Sequence, residues 1–146
     1  MKTLNVQTPE QSAFLKSWLG FRFQHRKQLL DHLARGLPIS SFDHLCKEMD
    51  VPASLLAEVT RIAPRTLARR KKEGRLETDE SERLYRLAAL YDQAIRVLGS
   101  PDAAKVWFKS PKKALSGKSP LEYSEMELGA REVEELLGRL EHGVFG

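Results

Sequence analysis

The stretch "PASLLAEVTRIAPRTLARRKKEG", Pro52 to Gly74, carries the architecture of the chain. Pro52 opens a short helix whose apolar positions, Leu55, Leu56 and Val59, fall at helical spacing. A turn, Arg61-Ile62-Ala63, follows. Pro64 then opens a second helix at the one position where its missing N–H costs nothing, and Gly74 closes it as a left-handed C-cap. Arg61 to Leu76 carries seven basic residues against one acid, with Leu67 facing inward. Two short helices, a tight turn and bases on the second helix describe a helix-turn-helix. The competing reading is a solvated basic face. The density of bases between a proline start and a glycine stop favours the helix-turn-helix. In that geometry Arg65, Thr66 and Arg69 face base edges, while Arg70, Lys71 and Lys72 position phosphates. Two residues depart from the usual pattern: Arg61 stands where such turns often carry glycine, and Ala63 stands where Ser or Thr would cap.

Outward from this stretch, helix punctuation continues and alternating β-branched runs are missing, so the chain reads as all-α. Residues 10–35 are largely helical, with Gly20 as a break and Gly36-Leu37-Pro38 as a stop. Ser40 or Ser41 caps a helix through Met49. Thr78 caps a long helix with Leu84, Leu87, Ala88, Tyr91, Ile95 and Leu98 as its apolar stripe and Gly99 as its end. Ser100-Pro101 starts a helix that places Trp107 and Phe108 inside. A turn-rich link precedes Ser119-Pro120, and Met126, Ala130, Val133, Leu137 and Leu140 form a last amphipathic helix stopped at Gly143. A boundary is expected near 93–99.

Composition narrows the class. The 146 residues suit one domain or two small ones, and 41% hydrophobic with 30% charged residues is a globular mix. No apolar run has the length of a membrane span, and the start of the chain lacks a signal-peptide core, so a cytoplasmic protein is expected. The net charge is +4, unevenly spread. Lys16 to Arg35 has five bases and one acid; Glu122 to Glu141 has seven acids and two bases. A basic front half attracts phosphate and an acidic end repels it, which points to two different partners.

The residues offer no reaction chemistry. Cys46 is the single cysteine, which removes disulfides and paired-cysteine zinc motifs, and it is read as a small core residue. His25 and His32 lie seven apart, not at the four-residue step of a helical metal site. Glycines sit at helix ends, so no phosphate-cradling loop forms. No enzyme, no metal and no cofactor are expected. Trp107 is read as core in preference to an interface anchor. Val144-Phe145-Gly146 reads equally as a frayed end or as a docking tail.

From Ser41 onward the chain resembles the Xre/MbcA/ParS-type antitoxins of bacterial type II toxin–antitoxin systems. The resemblance is carried by Arg65-Thr66-Leu67 with Arg69-Arg70, Leu76 followed by Glu80-Ser81 and Arg83-Leu84, Ala104 with Trp107, Ala114-Leu115, Pro120-Leu121, Gly129-Ala130 and Gly143. It implies an N-terminal helical segment (1–40) for packing or dimerisation, an Xre-like helix-turn-helix region (41–92) and a small helical toxin-binding domain (93–146). It further implies a homodimer that binds operator DNA of its own operon. The implied partner is a RES-domain toxin that depletes NAD, silenced when the C-terminal domain covers its active-site entrance. The toxin contacts it implies are Leu115, Leu121, Leu140, His142, Gly143, Val144, Phe145 and Gly146. The alternative is a stand-alone helix-turn-helix transcription regulator without a toxin partner. Salt separates the two: phosphate contacts weaken steeply as salt rises, whereas a tight protein complex does not depend on them.

Overall fold

In the computed structural model, residues 13–20 and 25–143 are described. They form α1 (Ala13–Leu19), α2 (Arg26–Arg35), α3 (Ser40–Met49), α4 (Ala53–Val59), α5 (Pro64–Glu73), α6 (Thr78–Leu98), α7 (Pro101–Lys109), a 3-10 turn (Lys113–Leu115), α8 (Pro120–Tyr123) and α9 (Glu127–Glu141). The expected all-α chain is observed, and the expected glycine stops hold: Gly74 and Gly99 both close their helices in the left-handed conformation. Two caps differ from expectation. Ile39, not Ser40 or Ser41, precedes α3, and Ser41 is buried with its carbonyl accepting the Trp18 indole N–H at 2.9 Å. Glu77, not Thr78, precedes α6; its N–H is taken by Glu80 Oε1 at 2.9 Å, while the Thr78 hydroxyl donates to the Ala34 carbonyl. At Thr78 a tertiary neighbour claims the hydroxyl that local pattern assigned to the cap.

One non-helical crossing ties the front of the chain to the end of α5. Leu76 N–H donates to the Leu37 carbonyl at 2.8 Å, and Ile39 N–H donates to the Gly74 carbonyl at 3.0 Å. Gly36 is required there twice over: its φ is +90°, and a Cβ would lie 2.2 Å from the Leu76 carbonyl oxygen. Buried Ser81 completes the crossing by accepting the Leu37 N–H at 2.8 Å.

A single hydrophobic core runs from Leu15 to Leu137. Its axis is α6, 21 residues long, against which α1, α2, α7 and α9 all pack. The boundary expected at 93–99 therefore falls inside or at the end of a helix that both halves share. Tyr91 is at the junction: fully buried, it meets the Phe14 and Phe108 rings edge-on at 5.1 and 6.1 Å between centroids. Trp107 packs against the core, as read, but is not enclosed by it. Ala104 and Phe108, four apart, take the buried face of α7, which leaves Trp107 half-buried at its edge with the Lys112 ammonium 5.2 Å from its ring centroid.

Candidate nucleic-acid and partner interfaces

The turn between α4 and α5 is built around a left-handed arginine. Arg61 has φ +59°, so the chain makes the expected turn without the expected glycine, at a steric cost of about 1–2 kcal/mol. Neighbouring contacts offset that cost. Ile62 is buried and its N–H donates to the Ala57 carbonyl at 2.9 Å. The Thr60 hydroxyl donates to the Leu56 carbonyl at 2.6 Å. From α6, Arg83 reaches across: its Nε donates to the Thr60 carbonyl at 2.7 Å, and its Nη1 lies 3.5 Å from an Asp79 carboxylate oxygen. Sequence pattern does not mark Arg83 as a positioning residue. Its only local signal is Asp79 four residues earlier.

On α5, helix geometry sorts the six expected DNA contacts. Arg65, Arg69 and Lys72 are exposed and follow one another at steps of four and three, so they share the outward face. Thr66 is half-buried at its flank. Lys71 is exposed next to Lys72. Arg70 is a correction: it is 6% exposed, three residues from Leu67 on the inward face. Its Nε and Nη2 grip both oxygens of Glu80 at 2.8 and 3.0 Å, and its Nη1 donates to Glu73 at 3.1 Å. The Glu77 carboxylate is 3.5 Å away. Hydrogen bonding to Glu80 raises the Arg70 guanidinium above its ordinary value. Burial by itself would raise the Glu80 carboxyl, but the Arg70 bonds and charge and the Glu77 N–H outweigh it and hold Glu80 below its usual range. With its donors turned inward, Arg70 does not contact phosphate; it fixes α5 to the first turn of α6.

The expected toxin contacts divide in the same way. Leu115 and Leu121 are 2% and 1% exposed, so they support the surface from beneath rather than touch a partner. Leu140 is half-buried, and His142 and Gly143 are exposed at the end of α9. Val144, Phe145 and Gly146 lie outside the described residues. Among the described residues of this half, the large apolar side chains that stand fully exposed are Val106, Met126 and Leu128, none of them in the expected set. The acidic reading holds for α8–α9, where all seven acids from Glu122 to Glu141 are exposed. Ahead of that stretch the half is basic: Lys105, Lys109, Lys112, Lys113 and Lys118 occur without an intervening acid.

The described residues contain no group of three metal-ligating side chains. Burial, followed by the Asp43 charge, pushes the Cys46 thiol up to about 11, which leaves it un-ionised and unreactive near neutrality.

Comparison with known proteins assigns both halves. Residues 28–89 match the antitoxin Xre-like helix-turn-helix domain, and residues 93–143 match the antitoxin Xre/MbcA/ParS C-terminal toxin-binding domain. The first match begins before α3 and takes in nearly all of α2. A protein named Antitoxin Xre from Yersinia enterocolitica is 35% identical over 119 residues, 80% of each chain. Another of that name, from Photorhabdus laumondii, is 30% identical over 97% of this chain and 99% of its own length. Proteins of this kind act by binding rather than by catalysis. With a helix-turn-helix on one side of α6, a toxin-binding domain on the other and full-length relatives of one name, the chain belongs to the Xre antitoxin family.

Proposed function

We propose that this antitoxin neutralises a RES-domain, NAD-depleting toxin by seating its C-terminal half over the toxin's active-site entrance, and that it represses its own operon through α5. The carrying observation is the division of charge on one core: an exposed Arg65/Arg69/Lys72 face on α5 and an exposed run of acids on α8–α9. Arginine's forked donors match the guanine acceptor pair, and lysine neutralises phosphate. A site that binds NAD needs cations for the pyrophosphate, and the acidic helix complements such a cleft. His142 and the residues 143–146 remain among the proposed toxin contacts. A cytoplasmic homodimer would present two α5 helices to operator half-sites about 34 Å apart.

Co-expression with the neighbouring toxin gene tests this reading. Cells should keep their NAD and grow, the two proteins should co-purify through high salt, and the complex or free antitoxin should retard promoter DNA. NAD collapse despite a soluble, folded antitoxin would refute it. Removing Gly143–Gly146 should weaken protection while leaving promoter affinity unchanged.

A further inference from the structure

Among the described residues, large apolar side chains are exposed at Leu30, Val106, Met126 and Leu128. The last three lie in the segment that matches the toxin-binding domain. Met126 and Leu128 are neighbours on the corner between α8 and α9, 64% and 68% exposed. They edge a groove of roughly 320 Å³ that reaches Tyr123 and Gly129. Its rim is acidic: Glu122, Glu125 and Glu132 line it, with Lys118 as the one base.

The corner is built rather than loose. Ser119 Oγ accepts the Glu122 N–H at 3.1 Å, and Glu122 Oε1 accepts the Ser119 N–H at 3.1 Å, which closes the start of α8. Buried Ser124 donates its hydroxyl to the Pro120 carbonyl at 2.7 Å. Gly129 allows the closest approach: a Cβ there would lie 1.9 Å from the Tyr123 carbonyl oxygen. Side chains on so fixed a platform lose little backbone entropy when a partner covers them. Glu125 and Glu132 form no ion pair among the described residues, whereas Glu127 is held 3.3 Å from Arg131. The uncompensated charge is negative, which repels nucleic acid and favours a basic protein surface.

We propose that this corner is a seat for the cognate toxin: Met126 and Leu128 enter an apolar notch on it, and Glu125 and Glu132 meet basic groups beside that notch. The occupant follows from the position of the corner within the matched toxin-binding segment and from the sign of its rim, and the proposal rests on the reading that the chain neutralises a toxin.

The test titrates the full chain with the purified product of the adjacent toxin gene. Met126→Asp/Leu128→Asp is the decisive variant. Met126 precedes α9 without a side-chain cap; aspartate there supplies one, and a second acid in the first turn suits the helix dipole, so the fold is kept. Affinity should fall about 30-fold or more, with melting temperature and promoter binding as in the wild type. Met126→Leu/Leu128→Met should bind like the wild type. Glu125→Lys/Glu132→Lys should chiefly slow association and reduce its dependence on salt. Wild-type toxin affinity in the aspartate variant would overturn the proposal. So would loss of self-association with toxin affinity intact, which would assign the corner to a second copy. A wild-type chain that fails to bind the toxin would instead remove the antitoxin reading itself.

Discussion

Among the seven bases between Arg61 and Arg75, burial separates Arg70 from its neighbours, all of which are exposed. Removing one partner of a buried, bidentate ion pair leaves the other uncompensated, so Arg70→Met or Glu80→Leu should each cost about 3–5 kcal/mol. The double variant should cost less than either, and a thermodynamic cycle by urea unfolding measures the coupling. Additive losses would show that the pair is not a unit. The pair also sets the acid limit. Glu80 is held below its ordinary carboxyl value in the folded chain. Its contribution is therefore complete above the unfolded value of about 4.3 and disappears as pH falls through the folded one. Stability measured from pH 6 down to pH 2 should fall less steeply in Glu80→Gln than in the wild type. Arg61 acts in the opposite direction: its left-handed φ of +59° makes Arg61→Gly a stabilising change of roughly 1 kcal/mol, readable as a raised urea midpoint.

The two faces of α5 are proposed to have different tasks. Leu67 and Arg70 lock it to the core, and Arg65, Arg69 and Lys72 stand exposed for the proposed DNA contact. The two faces predict different failures in promoter binding. Lys71→Ala and Lys72→Ala should weaken binding and flatten the dependence of log K on log salt by roughly one unit for each phosphate no longer neutralised. Arg65→Ala and Arg69→Ala, as base-reading positions, should each cost about 1–3 kcal/mol on the cognate promoter and far less on unrelated DNA. Replacing Arg70 should weaken binding through a misplaced helix, leaving the salt slope of the residual binding unchanged. A slope lowered by Arg70→Met would return that residue to the phosphate-binding group. Lys71 is exposed beside Lys72 and stays among the phosphate contacts proposed for this helix.

Across the molecule, α6 governs the behaviour. The helix-turn-helix hangs on its N-terminal turns through Glu80 and Arg83, and α7 and α9 lie along it. With the core continuous from Leu15 to Leu137, the two halves should unfold together. Phe108 is fully buried in the C-terminal half. Phe108→Ala should cost about 3–5 kcal/mol and should lower the unfolding midpoint of α5 by the same amount as that of α9. Residue-resolved hydrogen exchange on both helices checks this; a midpoint that moves only in α9 would show two independent units.

The helices, their order and the family were legible in the sequence, because proline starts, glycine stops and apolar spacing act between residues within a few positions of one another. The helix between Pro64 and Gly74 and the exposure of Arg65 and Arg69 were legible on the same grounds. Which side chains are covered was settled by tertiary packing. Arg70 is buried by Glu80, ten residues on; Trp107 yields the interior to Phe108 where α7 meets α6; and Leu115 and Leu121 face inward while Met126 and Leu128 do not. Burial depends on neighbours brought from distant parts of the chain, as when buried Ser81 accepts the Leu37 N–H from 44 residues away. Local periodicity carries no record of such neighbours, so charge assigned a buried arginine to DNA, and the family resemblance assigned buried leucines to a toxin.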